Sequence, residues 1–303
     1  MRIWVNPVGF NQAKQLLKNN KDDFIVVGIK QLSTRNSCLV NFAQIKQLLA
    51  LNKDLVVSLN NLYVDDQLEL LTNCLKQLKQ LKVKNIIFAD YAVKQICDEL
   101  NYHPYLVYEG ITLNTNYGQL AFFKENKIPE VVLSSQLFLN EIIEIAKHKQ
   151  GVKVMLKAEG YDLLMHSKWM LLTNFQKEFK VKKNLSNQLF YLKEETRQLP
   201  NLIYEDETGT HMFSGYNVSI LDYLDQFTKV DSLYIFSYLH DAKWVEQTLD
   251  IYHQALKDIK AKKFSKTKKA LITKLNSINK ISTCGFIDPT KGLLHLQKGA
   301  NNE

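Results

Sequence analysis

Short apolar runs alternating with helical patterns constrain this chain more than any other feature. Eight runs read as strands: Arg2–Val5, Asp23–Ile29, Asp54–Leu59, Asn85–Ala89, Tyr105–Tyr108, Glu130–Leu133, Val152–Lys157 and, much later, Ser232–Phe236. The first seven all precede Gly160 and are evenly spaced, with room for one helix in most of the gaps. Between them lie amphipathic stretches. Val64–Leu81 places Leu68, Leu71, Leu75, Leu78 and Leu81 at steps of three and four, and Gln136–Ala146 repeats the pattern with Leu137, Leu139, Ile142, Ile143 and Ala146.

Continuously apolar strands between helices are buried on both faces, which is the signature of a parallel sheet of βα units. Seven such strands are too many for two small domains. The economical closure is a (β/α)8 TIM-barrel-like fold, with a doubly wound open sheet as the alternative. The regularity breaks at Gly160. Residues 160–215 read as an excursion, a helical stretch followed by polar, turn-rich sequence. The barrel resumes with a helix over Asn217–Phe227, the strand Ser232–Phe236 and a helix over Ala242–Leu256. The expected domains are therefore 1–256, the barrel with its excursion, and 257–303, a basic helical segment and tail.

Composition excludes some classes. Hydrophobic residues make up 46% of the chain, which is the composition of a globular rather than a disordered protein. Met1–Phe10 has no apolar core for a signal peptide, and no apolar run approaches a membrane span. Cys38, Cys74, Cys97 and Cys284 are too dispersed for a zinc ribbon or a local redox pair, and suit a reducing cytosol. No glycine-rich phosphate loop, H-E-x-x-H or G-x-S-x-G is present.

The net charge is +8, and the basic residues are almost all lysine, with arginine only at positions 2, 35 and 197. Nine lysines in 257–280 face one acid, Asp258, beside an apolar stripe of Phe264, Leu271, Ile272, Leu275 and Ile278. This span reads either as an amphipathic helix packed on the barrel or as a basic face for nucleic-acid backbone through Lys262, Lys263, Lys266, Lys268 and Lys269. A membrane-surface helix is a third, weaker reading.

Barrels of this class work at the C-terminal ends of their strands. Those ends carry Asn6, Lys30, Asn60, Asp90, Glu109, Ser134, Glu159 and Ser237. Arg35, in the loop after the second strand, offers a planar fork for a carboxylate or phosphate, or else a structural pair with a nearby acid. Arg197, beside Glu194 and Glu195, favours the structural reading. His166 and Ser167, followed by Lys168, and His211 sit in polar motifs of the excursion, but no order of Ser, His and Asp makes a hydrolytic triad evident.

Several segments resemble motifs of one family. Ala158-Glu159-Gly160 through Met165-His166-Ser167-Lys168-Trp169 to Thr173-Asn174-Phe175 is similar to the signature region of the U32 "peptidase" family. Tyr204–Ser214 resembles its E-D-x-x-G-T-H segment, Asp23–Arg35 its V-G-x-x-x-x-S-x-R segment, and Val57–Asn61 its V-x-x-N-N strand end. The order and spacing match from about residue 2 to 257. The chain looks most like short Firmicutes-type members that are paired with a longer paralogue. These are implicated in prephenate-dependent hydroxylation of wobble uridine 34 in tRNA, giving 5-hydroxyuridine.

The resemblance implies a cytoplasmic protein with tRNA and the paralogue as partners and prephenate as a co-substrate. It implies site residues Arg35, Asn60, Asp90 and Glu159 at the barrel mouth, with His166, Ser167, Lys168 and His211 on the excursion beside it. The older label, collagenase-like protease, finds no support in these residues. Iron–sulfur members carry a C-x6-C pair in the signature region. Here Leu163, Leu164, Met165, Met170 and Leu171 stand there, so no cluster is expected in this chain. Further departures are Trp169 in place of an arginine and Glu159-Gly160 in place of an H-G pair. They fit a subunit that assists a cluster-bearing partner, or a divergent member with altered use; a U32 peptidase and a non-catalytic scaffold for the paralogue are the alternatives.

Overall fold

The computed structural model describes residues 1–19, 23–52, 54–195 and 199–291. Arg197 lies outside the described residues. The order is β1 (Arg2–Val5), α1 (Phe10–Lys18), β2 (Phe24–Gly28), α2 (Phe42–Leu51), β3 (Leu55–Leu59), α3 (Leu68–Gln80), β4 (Asn85–Phe88) and α4 (Tyr91–Glu99). It continues with β5 (Tyr105–Tyr108), α5 (Gly118–Glu125), β6 (Glu130–Val132), α6 (Leu139–Lys147) and β7 (Lys153–Ser167). Then come α7 (Leu171–Glu178), β8 (Phe190–Leu192), β9 (Asn201–Asp206), β10 (Gly209–Ser219), β11 (Ser232–Ile235), α8 (Ala242–Lys260), α9 (Phe264–Ile278) and β12 (Ser282–Thr283).

Strands β1 to β7 pair in sequence, all parallel, and β11 pairs with both β1 and β7. Eight parallel strands therefore close into a (β/α)8 barrel, as the alternation of runs predicts. Successive strand side chains point to opposite faces. Trp4, Val26, Val56, Ile87, Val107, Met155 and Tyr234 fill the inside. Ile3, Val5, Ile25, Val27, Leu55, Val57, Ile86 and Phe88 pack outward against the helices. Both faces are dry, which is why the strands read as unbroken apolar runs.

Residues 160–215 depart from expectation. β7 does not stop at the barrel rim. It runs on through Tyr161–Ser167 and pairs antiparallel with β10, which pairs with β9, and β9 with β8. The excursion is thus a β-ribbon carrying one short helix. The expected helix at Asn217–Phe227 is instead the end of β10 followed by a 3₁₀ turn at Leu221–Gln226. Tyr216, Asn217 and Val218 are buried because β10 is flanked there by β7 and β12. Burial on both sides hides the alternation that marks a half-exposed strand.

The C-terminal stripe behaves as an amphipathic helix. Phe264, Leu271 and Leu275 of α9 join the main core cluster, and α9 packs on α8. α8 descends from the mouth end of β11, so α9 begins at the opposite end of the barrel. His253 on α8 meets Asp23 just before β2 (3.0 Å), and Lys268 on α9 meets Asp222 in the 3₁₀ turn after β10 (2.7 Å).

The departure of β7 from the wall happens at Gly160, whose φ is +127°. A Cβ built there would lie 2.1 Å from the Phe236 carbonyl oxygen. Gly160→Ala combines a disfavoured backbone with a backbone clash. It should lower stability by roughly 2–4 kcal/mol, read as a fall in the thermal midpoint; an unchanged midpoint would contradict this account of the crossing.

Candidate active site at the barrel mouth

The loop after β2 carries Arg35 to the mouth. Gly28 lets it fold close, since a Cβ there would sit 2.8 Å from the Ser33 Cβ. The Ser33 hydroxyl accepts from Ile29 N (2.7 Å) and donates to the Ser58 carbonyl, tying the loop to β3. Thr34 N donates to Asn60 Oδ1 (3.0 Å), and Asn60 Nδ2 donates to Glu109 Oε2 (3.1 Å). Arg35 itself adopts φ +52° and is only 5% exposed. Leu239, on the other side of the mouth, also has positive φ (70°). Strained non-glycine backbone of this kind persists where surrounding structure holds it.

Arg35 faces a cavity of about 480 Å³ lined also by Asn36, Tyr204, Asp206, Thr208, Tyr238 and His240. Its guanidinium makes one long contact, Nη1 to Thr34 Oγ1 at 3.4 Å. Among the described residues it has no close ion pair, although Glu109 and Asp206 act on it through space. Burial pulls its pKa down against the opposing pull of Glu109; an arginine at this depth stays charged. Burial likewise pushes the Glu109 carboxyl up, opposed by Arg35 and Asn60. Asn36 Nδ2 is buried with no partner. A buried cation with open donors and an unmatched amide N–H together suit an anionic oxygen ligand.

From Arg35 a hydrogen-bond chain crosses to the excursion. Thr34 Oγ1 meets Thr208 Oγ1 (3.0 Å), and Thr208 Oγ1 donates to Asp206 Oδ1 (2.6 Å). Tyr238 OH donates to Asp206 Oδ2 (3.2 Å). His211 Nε2 lies 3.3 Å from Asp206 Oδ1 and 3.1 Å from Thr208 Oγ1. Burial would raise the Asp206 pKa, but the His211 and Thr208 hydrogen bonds outweigh it and hold the carboxyl at about 2.

His166 and His211 are paired across β7 and β10, stacked with centroids 4.7 Å apart and Nδ1 atoms 3.1 Å apart. A carboxylate only accepts, so His211 Nε2 carries the proton toward Asp206. In the neutral pair its Nδ1 is then bare, His166 Nδ1–H donates to it, and the His166 Nε2 lone pair is left as a base. Burial, then His211 and Arg35, lower the His166 pKa to about 4, so its ring is neutral near neutral pH.

The remaining predicted residues are placed differently. Asp90 caps α4, accepting from Ala92 N (2.9 Å) and Tyr63 N (3.0 Å), so its carboxylate is spent on backbone rather than on the cavity. Glu159 is fully buried on the outer side of the wall. The β7–β11 register slips by one residue, pairing Glu159 with outward-facing Ile235, and this bulge turns the carboxyl away from the mouth. It meets Tyr252 OH (3.2 Å) and Asn279 Nδ2 (3.0 Å). Burial pushes its pKa up to about 8, against those hydrogen bonds and one from Ser219.

Ser167 Oγ accepts from Trp169 N (3.1 Å) and meets no histidine among the described residues. Lys168 Nζ donates to the Leu62 carbonyl (2.8 Å) and lines a second cavity, which shares Glu207 and Thr208 with the first. Lys262, Lys263, Lys266, Lys268 and Lys269 lie on the segment that starts at the end of the barrel away from the mouth. The mouth thus gathers Arg35, Asn60, His166 and His211. Sequence reasoning missed Asp206 and Thr208 although both lie in the quoted E-D-x-x-G-T-H resemblance. It named Glu109 as a strand end and went no further, and Asn36 and Tyr238 carry no local signal.

Among the described residues the thiols are not gathered into a set that could hold an iron–sulfur cluster. Cys38, Cys74 and Cys97 are buried, with burial pushing each thiol up to about 12. The signature strand offers Leu163, Leu164 and Met165 where thiolates would be needed. Among the described residues, no group of three or more His, Cys, Asp or Glu is placed to hold a metal ion, and no helix is long and apolar enough to cross a membrane.

A parallel barrel whose last strand but one extends into a ribbon over a polar mouth defines the class. Residues 9–300 match the family model described as peptidase family U32, and the chain belongs to that family. Among curated proteins it is similar to "tRNA hydroxylation protein P2" of Bacillus subtilis (strain 168), 27% identical over 208 residues. That match covers 66% of this chain and 66% of the relative, just under two thirds of its length.

Glu159 has a pKa raised from 4.5 to about 8. A carboxyl raised in the folded state stabilises below its unfolded pKa, and that stability is lost as pH rises through the folded value. Glu159→Gln keeps the neutral shape. It should gain stability relative to the parent protein as pH rises from about 4.5 to 8, read by denaturant midpoints across that range; parallel curves would refute the buried neutral carboxyl.

Proposed function

We propose that this chain is a component of tRNA hydroxylation and that its Arg35 cavity holds a small carboxylate. The observation that carries the ligand is the buried Arg35 with uncommitted donors beside the unmatched Asn36 Nδ2. The similarity to tRNA hydroxylation protein P2 supports the reaction class. In finer detail, the product is 5-hydroxyuridine at wobble uridine 34, prephenate is the carboxylate, a longer U32 paralogue is the partner, and the cytoplasm is the place of work. Arg35 and Asn36 would seat the carboxylate, Asn60 and Glu109 hold the Arg35 loop in place, and His166 Nε2 accepts or returns a proton at the cavity edge. No step is routed through a metal cluster.

The peptidase reading fares worse on geometry. A hydrolytic triad places hydroxyl and acid on opposite ring nitrogens of its histidine. Here Thr208 and Asp206 both sit on His211 Nε2, and Nδ1 faces His166. The scaffold reading rests on the missing cysteines and makes a separate prediction, namely modification that survives loss of the cavity.

Arg35→Lys retains charge but loses the fork. It should weaken prephenate binding about ten- to a hundredfold, measured by calorimetry. In cells lacking the gene, mass spectrometry of tRNA should show loss of 5-hydroxyuridine, restored by the parent gene and not by Arg35→Ala. Full restoration by Arg35→Ala would leave the chain a scaffold, and unchanged 5-hydroxyuridine on deletion would remove it from the reaction.

A further inference from the structure

The excursion carries an exposed surface that the mouth chemistry does not use. α7 buries none of its residues. Phe175 and Phe179, one helical turn apart, are 50% and 67% exposed, with ring centroids 4.6 Å apart. Trp169, just before α7, is 74% exposed. Large aromatic rings left this open and close together mark an interaction site.

The charge around them is mostly positive. Lys168, Lys177, Lys180, Lys182, Lys183 and Lys193 are all exposed, and the only acid from Lys168 to Lys193 is Glu178. Among the described residues none of these lysines has a close ion pair; Lys183 lies over the Phe190 ring (5.4 Å). Lysines for phosphates, interleaved with open rings for bases, are what a single-stranded nucleic-acid platform requires. An interface for another protein would be expected to deplete lysine instead. The contrast with α9 is direct. There the apolar stripe is spent on the core, Lys268 is paired with Asp222, and the lysines begin at the far end of the barrel.

We infer that α7 and the turn at Trp169 form the RNA-docking face, on which unpaired bases of an RNA loop stack while the lysines follow its backbone. Lys168, which reaches the second cavity, and His166 just before it on β7 connect this face to the mouth. An RNA loop seated on the face is thereby led toward His166 and Arg35. The inference rests on the proposed tRNA reading for its partner, and its test is separate from that reading.

The probe is a fluorescently labelled anticodon stem-loop RNA, compared with a fully duplexed RNA of equal length, by anisotropy with the purified full chain. The parent protein should prefer the stem-loop, with affinity falling steeply as salt rises. Trp169→Ala/Phe179→Ala should weaken stem-loop binding about tenfold or more, with Trp169→Tyr/Phe179→Tyr retaining most of it. Lys180→Gln/Lys182→Gln/Lys183→Gln should flatten the salt dependence, and Lys262→Gln/Lys263→Gln/Lys266→Gln should leave binding near the parent value. Circular dichroism checks that each variant is folded. The face is overturned if the parent binds neither RNA, if the aromatic variant binds as the parent does, or if only the Lys262 set matters. It is equally overturned if the aromatic variant keeps RNA but loses the longer paralogue in co-purification. RNA binding that depends on this face, in cells whose tRNA is unchanged by deletion, would uphold the surface and overturn the hydroxylation reading alone.

Discussion

The close passage of β7 past the Phe236 carbonyl at Gly160 is the constraint on which the rest of the structure depends. Below that point β7 is a barrel strand, held between β6 and β11. Above it, the same strand is one side of a ribbon, held by β10. Only a residue without a Cβ lets the two backbones come this near. The crossing delivers His166 to a point opposite His211, and so delivers the excursion's polar chain to the barrel mouth. The one-residue bulge beside it turns Glu159 outward. The same few residues thus decide which polar groups of β7 serve the mouth and which brace the wall.

The mouth is organised around Arg35, a buried charge without a close ion pair among the described residues. A salt bridge between Arg35 and Glu109 would satisfy both groups and leave little for a ligand. Instead Asn60 holds Glu109, Thr208, His211 and Tyr238 hold Asp206, and the guanidinium keeps its donors toward the cavity. Desolvating an arginine this way costs free energy that a bound anion would offset. The positive φ of Arg35 and Leu239 belongs with this, since strain is retained where the fold holds a side chain in a working position. On the outer side of the wall, Asn279 is the counterpart. It donates to Glu159 and accepts from Asn217 and Trp244, fastening the segment after α9 to the barrel.

The polar residues at the strand ends show how far one-dimensional reading reaches. Asn60 and Glu109 do point into the mouth, where alternation and strand polarity suggest. Asp90 sits immediately before α4, and an Asp there is as much a helix cap as a site residue; its two backbone bonds settle which. Glu159 is misplaced by counting alone, because a bulge changes the phase of the strand and no local pattern announces it. Glu205 is similar. Fully buried, it binds Leu172 N, Thr173 N and the Thr173 and Thr210 hydroxyls, fixing the start of α7. The quoted E-D pair of the ribbon therefore divides its labour, with Glu205 serving architecture and Asp206 serving the mouth.

The barrel itself was legible because strands buried on both faces need unbroken apolar runs, and helices over them need a three-four spacing. Those are local demands that each segment carries alone. The singular place of Arg35 was half legible, through the rarity of arginine in this chain. The ribbon was not. β10 is buried by partners distant in the sequence, so its own pattern imitates a helix. Nor could the sequence say that His166 meets His211, that Asp206 anchors the pair, or that the lysines of α9 begin at the far end from the mouth. Such facts depend on which strand lies beside which and in what register. Register is decided by long-range pairing at one glycine and one bulge, and only the folded chain brings those contacts together.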